Sequence, residues 1–344
     1  MKNNQLMIYG AYGYAGELMV REAVAQRLRP IIAGRDAEKL KPIATELSLE
    51  CRAFGVRNTG SNLQDISVLL NCAGPFSATA EPLARACLAQ QIHYLDITGE
   101  IDIFRKCHAL DEEARQQNVL ILPGAGTDIV PTDCLAAMLK EKLPVATRID
   151  LALSFGTNPS IGTVNTMIES FGKGGLIREG GMLKVVSNAF QMRKIPFQNK
   201  PQWAMTIPWG DVFTSGISTG VPDGAVYMAM PRMSIYMIRL TNPVKGILNT
   251  QFGQKITKRL AGWLMKKGPD AKALEAGRGQ FWGEAEAPDG EKLEMTMSTP
   301  NVYALTATVG IRIAQYCLDY TGPGGYYTPS MLLGSRFIES IPGI

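Results

Sequence analysis

Leu6-Met7-Ile8-Tyr9, then Gly10-Ala11-Tyr12-Gly13-Tyr14-Ala15-Gly16, then the stretch from Glu17 to Arg27: a short apolar run, a glycine loop and a helical pattern open the chain. This order decides the fold. Backbone N–H groups at a helix N-terminus bind a pyrophosphate, and glycines before that helix let a dinucleotide approach the main chain. The spacing is G-x-x-G-x-x-G rather than G-x-G-x-x-G, so the strand-loop-helix context carries the assignment. The residues expected at the cofactor are Gly10, Tyr12, Gly13, Tyr14, Ala15 and Gly16.

Outward from the loop, strand-like and helix-like stretches alternate. Arg29–Ala33 reads as a second strand and Ala37–Leu47 as a helix, with further strands at Glu50–Gly55, Val68–Cys72, His93–Ile97 and Val119–Leu122. Helices are expected over Glu81–Gln90 and Asp102–Gln117. The rhythm predicts an α/β fold, a Rossmann-type doubly wound parallel sheet over residues 1–130. Ligands on such a sheet bind beyond the carboxyl ends of its strands. From about Thr147 the texture changes, and residues 131–300 read as a second, α+β domain with a mostly antiparallel sheet. Ala225–Ile238 and Gln280–Ser298 look like long strands, the latter turned at Asp289-Gly290. Val302–Leu318 reads as a helix, and 301–344 is expected to return to the first domain.

The second strand ends Ala33-Gly34-Arg35. NAD sites place an acidic residue there for the ribose 2′-hydroxyl, whereas a guanidinium clamps a 2′-phosphate. Arg35, with Lys39 in support, therefore argues for NADP. The adjacent Asp36 is the residue that would argue for NAD if the strand slipped by one position.

Composition removes other classes. A net charge of +4 is too small for a nucleic-acid binder. Six cysteines without a C-x-x-C and two histidines offer no clustered zinc ligands, so no metal is expected. His93 and His108 read as scaffold. No signal peptide opens the chain and no stretch approaches 18 uninterrupted apolar residues, which predicts a cytoplasmic protein with no membrane span. None of the eleven tyrosines has lysine four residues on, so the Tyr–Lys pair of short-chain dehydrogenases is missing.

Five further blocks carry a family resemblance. They are Ala33-Gly34-Arg35, Asn71-Cys72-Ala73-Gly74-Pro75-Phe76, Tyr94 to Glu100, Gly124 to Asp133, and Ser160-Ile161-Gly162-Thr163. With the glycine loop they resemble the saccharopine dehydrogenase-like family, in particular its branch of saccharopine dehydrogenase-like oxidoreductases and trans-acting enoyl reductases. The chain departs from the family's usual loop, G-A-T-G-Y-T-G, at Tyr12 and Ala15, where hydroxyl residues are lost. It departs again at Thr127 and Ile129, which stand for Phe and Ser in G-F-D-S-x-P-S-D. The resemblance implies an NADP-dependent oxidoreductase, with Asn71, Ala73, Gly74, Pro75 and Phe76 near the cofactor. It also implies Ser160, Gly162 and Thr163 near the substrate.

Asp96, Glu100 and Asp128 end strands at the crevice and are the candidate catalytic carboxylates; capping or bracing is their alternative role. The implied reaction is hydride transfer from NADPH to a C=C or C=O bond of a lipophilic, polyketide- or acyl-like substrate. An opine-type reduction of an amino-acid-derived imine would need converging arginines. The second domain offers Arg178, Arg193, Arg232, Arg239, Arg259 and Arg278 in no recognisable cluster, and nine of the 16 methionines fall between 167 and 265. A third reading is a non-catalytic NADP-binding protein at a membrane. Residues 245–267 place apolar positions four apart beside five cations, which fits either ordinary packing or docking to an anionic membrane or acyl-carrier protein. A homodimer is also expected.

Overall fold

The computed structural model describes residues 4–155, 174–240, 242–244, 250 and 277–344. The chain divides into two compact units, Met1–Val130 with Tyr303–Leu332, and Pro131–Val302 with Leu333–Ile344. Leu333–Ile344 thus closes on the second unit rather than returning to the first.

In the first unit, β1 (Leu6–Tyr9), β2 (Ile31–Gly34) and β4 (Val68–Asn71) are buried along their whole length. Such unbroken apolar runs belong to parallel strands covered on both faces. With β3 (Cys51–Ala53), β5 (His93–Asp96), β6 (Leu120–Leu122) and β15 (Gly325–Tyr326) they form one sheet in the order β15-β6-β5-β4-β1-β2-β3. Every pairing in it is parallel. Strand order reverses between β1 and β4, so their tips flank the topological switch point. α1 (Tyr14–Ala25) buries Gly16, Met19, Val20 and Ala23, one face at helical spacing.

α2 (Ala37–Leu47) follows β2, while α3 (Phe76–Ala89) begins immediately beyond the tip of β4, five residues earlier than its periodicity suggests. The expected helix over Asp102–Gln117 is two, α4 (Ile101–His108) and α5 (Asp111–Gln117). The long helix α9 (Val302–Leu318) rejoins this unit from Tyr303 onward, and its Gly310 lets α1 come close: a Cβ there would lie 2.5 Å from Met19 Cε. His93 Nδ1 accepts from the Leu120 amide at 3.0 Å and the His108 ring meets Tyr326 edge-on, both scaffold roles.

The second unit holds a mixed sheet. β10 (Met192–Pro196), β11 (Pro201–Thr206), β12 (Asp223–Ala229), β7 (Arg148–Ser154), β13 (Gly279–Glu286) and β14 (Lys292–Thr299) lie in that order, and β8 (Gly175–Glu179) joins β12 to β9 (Met182–Val186). Only β7 and β12 run parallel among these pairs. α6 (Val130–Lys142) covers one face, with Leu135 and Leu139 closing on Gly283. The hairpin at Asp289-Gly290 forms as its sequence predicts, with Gly290 at φ +89. Beside β12 lies α7 (Asp211–Thr219), and Arg178 fastens β8 to it. The buried guanidinium donates to Val212 O, to Val221 O at 3.0 Å and to Ser215 Oγ at 3.0 Å. Gly216 and Gly224 leave the room it needs.

One expectation fails here. Ala225–Ile238 is not a single strand: β12 stops at Ala229, and α8 (Arg232–Leu240) follows Pro231. Proline has no N–H for a ladder and suits a helix start, so it divides a run whose methionines and aromatics read equally well as strand.

Candidate functional site

The two loops at the switch point build one another. Gly10 adopts φ +86, and a Cβ on it would lie 2.7 Å from the Ala73 nitrogen. Its N–H donates to Ala33 O at 2.7 Å, and the Cys72 amide donates to Tyr9 O at 2.8 Å. Gly16 is equally constrained, since its Cβ would sit 2.2 Å from Gly10 O. Gly13 caps α1 in an extended conformation with no side-chain cap. An α-helix presents its first-turn amides at its N-terminus, so the start of α1 at Tyr14 has the anion-binding arrangement expected of the loop. With alanine at position 15 and the Tyr12 ring lying over Gly34, backbone groups are left as the loop's donors.

Tyr12 turns outward over Gly34, where a Cβ would lie 2.6 Å from its ring, and Lys39 Nζ stands 5.7 Å from the ring centroid. Beside it the Arg35–Asp36 ambiguity resolves. Asp36 is the N-cap of α2, accepting from the amides of Glu38 at 3.1 Å and Lys39 at 3.3 Å. Its carboxylate is committed to the helix. Arg35 is exposed and makes no ion pair among the described residues. An available cation beside a committed carboxylate is the environment a 2′-phosphate requires.

The Asn71–Phe76 block is held from below. Asn71 is buried; its amide donates to Thr79 Oγ1 and Tyr94 Oη, both at 3.2 Å, and its oxygen accepts from the Ala73 N–H at 3.0 Å. Thr79 in turn donates to Ala73 O at 2.6 Å. Asn71 therefore sets the loop's shape, while Ala73, Gly74, Pro75 and Phe76 carry the chain from the tip of β4 into α3. From the sequence Tyr94 entered only as the first residue of a family block, with no role given to it, and Thr79 did not enter at all. Both lie within ordinary apolar or helical runs, and only the fold brings them to Asn71.

The three candidate carboxylates separate. Asp96 is fully buried and accepts from Tyr94 Oη at 2.9 Å, the Thr98 amide at 2.9 Å and the Gly124 amide at 3.1 Å. Burial raises its carboxyl to about 6 against the pull of those donors. Its carbonyl also accepts from the Ala125 N–H at 2.6 Å. Asp96 is thus a brace for the loop that follows β6, the alternative role open to it from sequence. Glu100 is half-buried at the N-cap of α4 and makes no capping hydrogen bond. Asp128 sits in the loop that Asp96 braces, half-buried, and desolvation raises its carboxyl to about 7. A carboxyl with that pKa is evenly poised between acid and base near neutrality. Ser160, Gly162 and Thr163 lie outside the described residues, as does nearly all of the basic stretch 245–267.

Residues 6–122 match the family model of the saccharopine dehydrogenase NADP binding domain. The first unit is built on that domain. Its cofactor is therefore NADP, as Arg35 indicates. Among curated proteins, the rat saccharopine dehydrogenase-like oxidoreductase is 26% identical over 231 residues, 59% of this chain and 53% of the relative. A protein of Mycobacterium tuberculosis named as a candidate trans-acting enoyl reductase is 28% identical over 206 residues, 54% of this chain and 44% of the relative. The chain spans about half the length of these curated relatives. Apo saccharopine dehydrogenase (L-Glu forming) from Saccharomyces cerevisiae has the same fold, with TM-score 0.63 at 10% identity over 94% of both chains.

Proposed function

We propose that the protein is a cytoplasmic oxidoreductase of the saccharopine dehydrogenase-like group, reducing a C=C or C=O bond of a lipophilic, acyl- or polyketide-like substrate. The observation that carries the substrate class is the fate of the second-unit arginines. Arg178 is locked against α7, and Arg193 forms a bidentate pair with Glu284 at 3.1 and 3.0 Å. Arg232 stacks on Trp203 at 5.1 Å, Arg239 donates to Ala189 O at 2.9 Å, and Arg278 donates to Gly343 O at 2.9 Å. Arg148 and Arg193 do meet, but on Asp150, at 2.9 and 3.6 Å, so both are spent on carboxylates of the sheet, and Arg259 lies outside the described residues. A polycarboxylate imine would need several of these cations to converge. The same unit contains a cleft of about 810 Å³ where Leu135, Met138, Met295, Met297 and Ile344 stand beside Gln198, Gln280, Arg278 and Glu339, a mixed lining that would take a chain with both apolar and polar parts.

In this reading the amides of Tyr14, Ala15 and Gly16 hold the cofactor pyrophosphate, and Arg35 with Lys39 holds the 2′-phosphate. Bound NADPH supplies the hydride. The protein's own task is to place the substrate and to deliver a proton. Asp128, whose carboxyl desolvation pushes up to about 7, is the acid that donates to the developing carbanion or alkoxide. Asp96 acts through the loop it braces and is a positioning residue.

Turnover of NADPH with enoyl thioesters or long-chain ketones, set against amino-acid and keto-acid mixtures, tests the reading. Asp128→Asn is expected to lower kcat by about 10²- to 10⁴-fold with little change in KM. It should also remove the fall in rate as pH rises through about 7. Consumption of NADPH only with the amino-acid mixtures would replace this proposal by the C–N dehydrogenase reading.

A further inference from the structure

Tyr12 belongs to the glycine loop, yet its side chain serves another corner of the site. A Cβ on Gly34 would meet the ring at Cε1, Cδ1 and Cζ, at 2.6, 3.2 and 3.5 Å. The ring therefore crosses from the loop after β1 to the tip of β2, and its hydroxyl end lies by the residue that precedes Arg35. Any larger residue at position 34 would displace it. Lys39 Nζ also stands 5.7 Å from the ring centroid. The ring is thus placed by contacts to its carbon atoms, while its hydroxyl makes no hydrogen bond with the protein among the described residues.

Tyr9, at the end of β1, shows that Tyr12 and Arg35 share this corner. Burial raises the Tyr9 phenol, the Tyr12 phenol adds to the rise, and the Arg35 guanidinium opposes it. Tyr9 itself is spent, being buried and donating to the Phe54 carbonyl at 2.9 Å. The other charged groups here are Asp36 and Lys39. Asp36 caps α2, and its second oxygen lies 3.5 Å from Lys39 Nζ, so part of the lysine charge is answered locally. Arg35 and the Tyr12 hydroxyl are left to bind a ligand. A phosphate monoester carries about two negative charges and three acceptor oxygens near neutrality, more than the fork of one guanidinium satisfies. A phenol is a further donor of the right kind.

We propose that Tyr12 sets cofactor specificity together with Arg35: its hydroxyl donates to the 2′-phosphate of NADP, and Gly34 leaves the room its ring needs to do so. A hydroxyl that the loop does not offer to the pyrophosphate is thereby supplied at the adenosine end of the cofactor. The inference rests on the 2′-phosphate lying at Arg35, and it is independent of the reaction proposed above.

NADPH and NADH differ only in the 2′-phosphate, so fluorescence titration of the full chain with both tests the inference without turnover. Tyr12→Phe removes the hydroxyl and keeps the ring. It should weaken NADPH binding about 10-fold, as expected for one charge-assisted hydrogen bond, and leave NADH binding within about 2-fold. The thermal unfolding curve without cofactor should not move, because the hydroxyl has no partner in the fold. Arg35→Ala, titrated alongside, should also weaken NADPH binding selectively. Unchanged NADPH affinity in Tyr12→Phe, with Arg35→Ala still selective, overturns the role of Tyr12 and leaves the 2′-phosphate at Arg35. Equal losses of both cofactors in Tyr12→Phe would make the residue a support of the whole loop, and this also overturns it. If neither substitution discriminates between the two cofactors, the 2′-phosphate lies elsewhere, and the inference falls with the placement beneath it.

Discussion

α1 and α8 carry apolar residues at the same spacing and use them oppositely. On α1, Gly16, Met19, Val20 and Ala23 face the sheet and are buried, whereas among the described residues the corresponding stripe of α8, Met233, Tyr236, Met237 and Leu240, lies open and burial is confined to Ile235. Periodicity therefore specifies a helix with two faces, but what meets the apolar face depends on the chain around it. α1 lies between two strands of one parallel sheet, which must cover both its surfaces. α8 hangs from the end of β12 behind Pro231, fastened through its arginines rather than through its methionines.

The sharpest way to break that comparison is to truncate one methionine from each helix. Met19→Ala leaves a cavity under α1 and α9 and should cost about 2–5 kcal/mol. Met237→Ala removes nothing from a core and should stay within about 0.5 kcal/mol. Denaturant melts of the two variants measure both, and comparable losses would show that α8 is packed in solution. Arg178→Met should fall in the same range as the first, about 2–4 kcal/mol, because it strands the buried carbonyls of Val212 and Val221.

The next effect lies at the corner beside α1. Arg35→Ala should weaken NADPH binding by about 10- to 100-fold, as expected for losing charge-assisted hydrogen bonds, and leave NADH binding where it was. Asp36→Ala should do the reverse: it should lower stability by about 1 kcal/mol through the lost cap of α2, without changing the preference between the two cofactors. Binding titrations of both cofactors against both variants separate the roles.

A further effect concerns pH. Asp96 and Asp128 have folded-state pKa values of about 6 and about 7, above the 3.8 of a free aspartate. Between about pH 4 and pH 7 the folded chain holds protons that the unfolded chain has released, so these two groups withdraw stability as pH rises through that window. Asp128→Asn should flatten the slope of stability against pH in its upper part; an unchanged slope would show that Asp128 titrates like an exposed carboxylate.

Much of the first unit was legible in the sequence because its signals are local. The glycine loop and the buried strand runs, like the Asp289-Gly290 hairpin of the second unit, each depend on residues within a few positions of one another. Asp36 could also have been read as a cap, since it directly precedes a helical pattern with Glu38 in its first turn. Three features were not local. The tie between Asn71, Thr79 and Tyr94 joins residues 8 and 23 positions apart, Asp96 reaches Gly124 across the sheet, and the strand–helix break at Pro231 was masked by residues that favour either state.

By itself, then, the sequence determined that a glycine loop opens a parallel sheet, and that Arg35 directly follows its second strand. Chain geometry over a few residues suffices for both. Only the tertiary structure decided that Asp36 is committed to α2, that Asp96 turns inward as a brace while Asp128 has a raised pKa, and that no described residue covers the apolar stripe of α8. Burial and partnership are properties of what the fold brings alongside a residue, and no spacing along the chain encodes them.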